Sequence, residues 1–194
     1  MAVIMKSKKN VQNNDARFEP SGPWPVPTYN GKAAKIIDTQ KLHAFWESLN
    51  DIGDKKGCYI FAIRASKGVV PYYVGKATKT LKQEAFALHK LEKYQRCLAD
   101  INKGTPVLYF VTLGTRKGKP NVKAITELEQ FLIQSAVSRN ADLLNVKGTD
   151  RARWSIDGVL GSRSGQPSTA ASSLKKLLGL SPQPLRHSVT IRGG

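Results

Sequence analysis

At 194 residues, with 40% hydrophobic and 23% charged side chains, the chain has enough apolar material for one ordinary core and some residues left over for tails. Its 31 lysines and arginines stand against 14 acidic residues, and the formal charge of +17 exceeds what solubility alone requires, so a polyanionic partner is expected. Cys58 and Cys97 form neither a Cys-x-x-Cys motif nor a Cys/His cluster, so neither a disulfide framework nor a zinc site is indicated. No stretch approaches the roughly 18 consecutive apolar residues of a membrane span, and residues 1–14 lack the apolar core of a secretory signal. A cytoplasmic or nucleoid-associated protein that does not engage a membrane is the expectation.

Taken in chain order, residues 1–30 are polar and then proline-rich, and Pro20, Pro23, Pro25 and Pro27 discourage a helix, so this segment reads as an extended or disordered arm. Trp24 is the residue that could pin it to a domain surface. Globular patterning begins near Asp38, where Leu42, Phe45, Trp46 and Leu49 follow helical spacing behind an Asp38 or Thr39 cap, and the helix ends near Gly53. Gly57–Arg64 and Val69–Gly75 are aromatic and β-branched runs separated by Ala65–Gly68, the pattern of a β-hairpin. Pro71 fits an edge or a strand start. Leu81–Asn102 carries apolar residues at 81, 85, 88, 91, 98 and 101 and reads as one helix closed by Gly104. Val107–Leu113 is a third strand, Arg116–Asn121 a basic loop, and Val122–Ser138 a second long helix.

The order helix, hairpin, helix, strand, helix predicts an α/β (α+β) domain over residues 31–150, a mixed or antiparallel sheet of about three strands flanked by helices. Residues 151–194 are rich in Gly, Ser and Arg and read as a basic, mostly flexible tail with one short amphipathic segment at Ser168–Leu178.

Three features carry candidate chemistry. The hairpin concentrates Tyr59, Tyr72 and Tyr73 ahead of Gly75-Lys76, and phosphoryl chemistry can use a phenol to relay a proton and an ammonium to stabilise phosphate charge. Tyrosines on paired strands are more often packing residues. On the second long helix, about 100° per residue places Glu129 in the stripe of Ile125, Leu132, Ile133 and Ala136, with Glu127 on the opposite side. A carboxylate there needs a cation, a donor or a metal; the plain alternative is a structural salt bridge to a lysine. The first long helix would place Lys82, His89, Lys93 and Arg96 along one edge through Phe86, a row that could track a phosphate backbone or simply be a solvated face.

These residues resemble the GIY-YIG nuclease superfamily. Gly57-Cys58-Tyr59 is similar to its GIY element and Tyr73-Val74-Gly75 to its YIG element, continuing into Lys76-Ala77. Glu129-Gln130-Phe131-Leu132-Ile133 resembles the family's metal-binding glutamate with its Leu-Ile pair, and Leu144-Asn145 the Leu-Asn that follows. The four short elements span residues 56–147. The resemblance implies a compact mixed sheet flanked by helices and a metal-dependent endonuclease acting on DNA, with RNA as the other candidate substrate. Tyr59 would accept a proton from the attacking water with help from Tyr73, Lys76 would contact phosphate, Glu129 would hold Mg²⁺ or Mn²⁺, and Asn145 would support the site. Lys82, Lys93, Arg96 and Asn145 are the expected nucleic-acid contacts.

The family's usual arginine early in the helix after YIG is missing; Leu81-Lys82-Gln83-Glu84-Ala85-Phe86 stands there. Its role passes to Lys82, His89 or Arg96, or is lost. Lys-Gln-Glu-x-Phe followed by His-Lys and Tyr resembles a divergent branch, which would bring His89 and Tyr94 into the site. Two rivals stand beside the nuclease: a binding module that kept the fold and lost cleavage, and a basic RNA-associated structural protein.

Overall fold

The computed structural model describes residues 16–66, 68–101, 103–114, 121–149 and 168–177, and the chain divides after Asp150 into two units. The predicted hairpin lies at the heart of the first. Strands β1 (Phe18–Pro25), β2 (Thr28–Asn30), β3 (Lys35–Ile37), β4 (Gly57–Ala65), β5 (Gly68–Ala77) and β6 (Thr105–Leu113) alternate with helices α1 (Leu42–Ser48), α2 (Leu81–Glu84), α3 (Leu88–Asp100) and α4 (Val122–Arg139), and two short 3-10 turns flank α1. The main sheet is antiparallel in the order β1-β6-β4-β5, and β2 and β3 pair separately. In the second unit, α5 (Thr169–Leu177) falls within the predicted amphipathic segment, and the Ser168 hydroxyl accepts from the Ala171 amide at 3.1 Å. The rest of the predicted tail lies outside the described residues.

The sheet has four strands where three were expected. The fourth is β1, drawn from the segment read as an arm. Proline removes a ladder donor and is confined to sheet edges, and β1 sits at the edge, paired only with β6, with its register shifting between Ser21 and Trp24 around Gly22-Pro23. Trp24 packs against the main core.

β4 is central and buried along most of its length, which explains its nearly continuous apolar run. One sheet face carries Tyr59, Phe61, Ile63, Tyr73, Leu108 and Phe110 beneath α1, α2 and α3. The other carries Val74 and Ile60 beneath Ile133, Ala136 and Val137 of α4.

The predicted helix over residues 81–102 is two helices. Thr80 caps α2 by accepting from the Gln83 amide at 3.2 Å, and the chain opens at Ala87, whose φ of −56° and ψ of 147° are extended. The core drives the break. Phe86 turns inward to meet Phe45, Trp46 and Tyr94, with ring centroids 5.6, 5.7 and 6.3 Å away. The Tyr94 hydroxyl donates to the freed Ala85 carbonyl at 3.0 Å. Helical phase therefore restarts at α3: Leu88, expected in the apolar stripe, is 74% exposed, and Tyr94, Cys97 and Leu98 face the core.

β5 is the opposite edge. Phe61 faces Tyr73 while Ala62 faces Pro71, so Tyr72 is an extra, bulged residue, and Tyr72 and Tyr73 both pack toward the same core. The outer side of β5 is covered by residues 140–145. Asn140 Nδ2 donates to the Pro71 carbonyl at 2.8 Å, the Leu144 amide to the Tyr72 carbonyl at 2.8 Å, and Asn145 grips Val74. Covering an edge with a loop removes a template for unwanted strand pairing. Among the described residues no helix is long and apolar enough to cross a membrane.

Candidate active site

Strand pairing sets Tyr59 directly opposite Gly75 and Tyr73 opposite Phe61. The two phenol rings lie 6.3 Å apart, tilted by 38°. Tyr59 has 0% exposure, its ring rests on Gly75, and its hydroxyl donates to the Glu84 carbonyl at 3.4 Å and also meets the Tyr94 side chain. Burial pushes its pKa well up, with Tyr73, Glu84 and Glu129 adding to the rise and Tyr94 opposing it. Tyr94 is fully enclosed, stacked on Phe61 at 4.2 Å.

Tyr73 lies at the margin of this aromatic group, 5% exposed, and burial followed by the Glu129 charge pushes its phenol up to about 12. The Lys90 ammonium donates a hydrogen bond to its hydroxyl, and the Lys90 and Lys93 Nζ atoms lie 4.8 and 5.0 Å from its ring centroid. Burial lowers the Lys90 pKa, against the Glu129 and Glu84 charges, which raise it. Lys93, which donates to the Leu144 carbonyl at 3.3 Å, is lowered by burial and then by repulsion from Lys90 and Arg96.

On the α4 side of the same strand, Lys76 Nζ meets Glu129 Oε2 at 2.8 Å. This is the cation that an acid in the apolar stripe called for, and both side chains remain partly exposed, 35% for Lys76 and 19% for Glu129. Cys58, opposite Lys76 on β4, donates to the Ile125 carbonyl at 3.5 Å; burial and then Glu129 push its thiol up to about 12, against Lys76. A neutral thiol is a packing residue here. Glu129 thus acts electrostatically on Cys58, Tyr59, Tyr73 and Lys90 as well as on its partner Lys76.

Of the expected residues, the structure brings Tyr59, Tyr73, Tyr94 and Lys93 together on one side of β5 and pairs Lys76 with Glu129 on the α4 side. His89 and Arg96 are exposed on α3, and Lys82 is exposed on α2, so the break at Ala85–Ala87 divides the predicted basic row. Asn145 serves β5: its Oδ1 accepts from the Val74 amide at 2.9 Å and its Nδ2 donates to the Val74 carbonyl at 2.8 Å. Glu127 is exposed and meets Lys123 at 3.9 Å.

Sequence reasoning missed Lys90 and Glu84. Lys90 is one turn before Tyr94 and two turns before Cys97 on the inward face of α3, a signal readable only once the helix is started at Leu88. Among the described residues no group of three or more His, Cys, Asp and Glu side chains is placed to enclose a metal. Glu129 does offer a partly exposed, hard oxygen donor, which suits an ion such as Mg²⁺ that takes one or two carboxylates plus water and substrate phosphate.

Fold and site together define an α+β protein with a four-stranded antiparallel sheet and a tyrosine–lysine–glutamate cluster on its β5 edge. Comparison of the chain with protein-family models, curated proteins and solved structures found no match.

Proposed function

We propose that the chain is a metal-dependent endonuclease of GIY-YIG type that hydrolyses DNA phosphodiester bonds. The observation that carries this reading is the meeting of Tyr59, Tyr73, Lys76 and Glu129, supplied by β4, β5 and α4, around one strand edge with Lys90 at the Tyr73 hydroxyl. Tyr73 holds the proton-relay position, because its hydroxyl already meets an ammonium that favours the phenolate against the effect of burial. Tyr59, without exposure, orients the pair and couples it to Glu84 and Tyr94. Lys76 moves between Glu129 and a bound phosphate, and the charges of Lys90 and Lys93 on α3 take the part of the missing arginine. Glu129 would hold Mg²⁺ or Mn²⁺, which when bound offsets phosphate charge and stabilises the leaving oxygen. The +17 charge supplies the long-range attraction to DNA.

The 2.8 Å ion pair that engages Glu129, with the full burial of Tyr59, favours a second reading: a nucleic-acid-binding module of the same fold without cleavage. Supercoiled plasmid separates the two. Wild type with Mg²⁺ or Mn²⁺ is expected to give nicked or linear DNA, while Glu129→Ala and chelated wild type leave it intact. Salt-sensitive binding by both forms with no cutting by either would replace the nuclease with the binding module.

A further inference from the structure

Lys90 and Lys93 stand one helical turn apart on α3, and both ammoniums lie within 5.0 Å of the Tyr73 ring centroid. Among the described residues neither has a carboxylate within ion-pair distance, although Lys76, on the same strand edge, has Glu129 at 2.8 Å. Each engages one neutral acceptor, the Tyr73 hydroxyl for Lys90 and the Leu144 carbonyl for Lys93. An ammonium has three N–H donors, so two remain on each. Burial disfavours the charge on both groups and lowers their pKa, and repulsion from Lys90 lowers Lys93 further. The carboxylates that act on Lys90, Glu84 and Glu129, relieve this only from a distance, and Arg96 adds to the excess at Lys93.

We propose that Lys90 and Lys93, both close to the Tyr73 ring, form an anion seat for a phosphoryl group that operates without metal. An anion placed there would be met by N–H donors from both lysines, with Lys90 held in place by the Tyr73 hydroxyl. Two positive charges match the roughly −2 charge of a phosphomonoester better than the single charge of an internal phosphodiester. The seat therefore takes inorganic phosphate or the terminal phosphate of a nucleic-acid strand. It rests on the reading of this edge as a phosphate-handling site, but it requires neither hydrolysis nor Glu129.

The test uses the full chain in chelator, so that failure of the nuclease reading leaves it untouched. Inorganic phosphate should raise the melting temperature beyond chloride at matched ionic strength. Lys90→Met and Lys93→Met, which keep the apolar stem, should each weaken phosphate binding about tenfold, the scale of one charge-assisted hydrogen bond. Lys90→Arg should retain the response, and so should Lys123→Met at the exposed start of α4. A wild-type response no larger than that to chloride overturns the seat, as does a response unchanged in both methionine variants. Should the methionine variants not fold, the comparison of wild type with chloride still decides. Oligonucleotides assign the source: a 5′-phosphorylated strand competing with phosphate more strongly than its 5′-hydroxyl counterpart identifies a strand terminus, and equal competition by the two identifies free phosphate.

Discussion

A Cβ on Gly75 would lie 2.4 Å from Cζ and 2.5 Å from the hydroxyl oxygen of Tyr59. That ring is fully buried and flanked by Tyr73 and Tyr94, so it has nowhere to move. The glycine is required by close contact and not by an unusual φ. Gly75→Ala is expected to destabilise the fold by about 1–3 kcal/mol, the range for overpacking a dense core, and urea unfolding of variant and wild type checks it; an unchanged midpoint would show that Tyr59 has room to shift. At this scale much of the site was legible. Tyr73, Lys76 and Glu129 stand in local patterns, a hairpin and a helical stripe, and the stripe alone required a partner for Glu129. That the partner is Lys76 was not legible, because it depends on how α4 lies across β5.

At the level of elements, the β5 edge depends on a loop that forms no strand. Asn145 supplies both a donor and an acceptor to Val74, so it behaves as a one-residue strand partner along the outer side of β5. Val74 is buried, and water cannot easily replace what Asn145 provides. Asn145→Ala should cost about 2 kcal/mol, in line with leaving buried backbone groups unsatisfied, and should speed hydrogen exchange at the Val74 amide in particular. Retained protection at Val74 would show that the loop stays in place without the side chain. The helix after β5 shows why element boundaries resist sequence reading. Apolar spacing ran through residues 81–102 without a glycine or proline to mark the break, and only the contact of Phe86 with Phe45 and Trp46 from a distant helix makes an extended Ala87 favourable. The break rotates His89 outward and Lys90 inward, and so decides which of two adjacent residues faces the tyrosines.

For the molecule as a whole, both faces of the sheet hold titratable groups in their neutral form. Burial raises Cys58 and Tyr73 to about 12 and raises Tyr59 and Tyr94 as well. These groups release protons more easily in the unfolded chain, near the ordinary values of 9.0 for the thiol and 10.0 for the phenol. Their contribution to stability is therefore complete below about pH 9 and is lost as pH rises through the folded values near 12. The urea midpoint should fall over that window, and Tyr73→Phe should fall less steeply than wild type, a comparison in which the titration of the many lysines cancels. Parallel curves for the two proteins would show that Tyr73 ionises without cost in the fold.

The sequence by itself determined the α+β class, the hairpin, the helical stripe of α4 and the basic field, because periodicity and charge are properties of neighbours along the chain. It also carried the motif likeness on which the nuclease proposal rests. Tertiary structure decided that a proline-rich segment completes the sheet, since only an edge position tolerates its missing donors, and that residues 140–145 close the other edge. It also decided which lysines meet Tyr73, because the interior of the helical region gave up regular geometry to seat Phe86, and the energy of that choice lies in contacts between residues far apart in sequence.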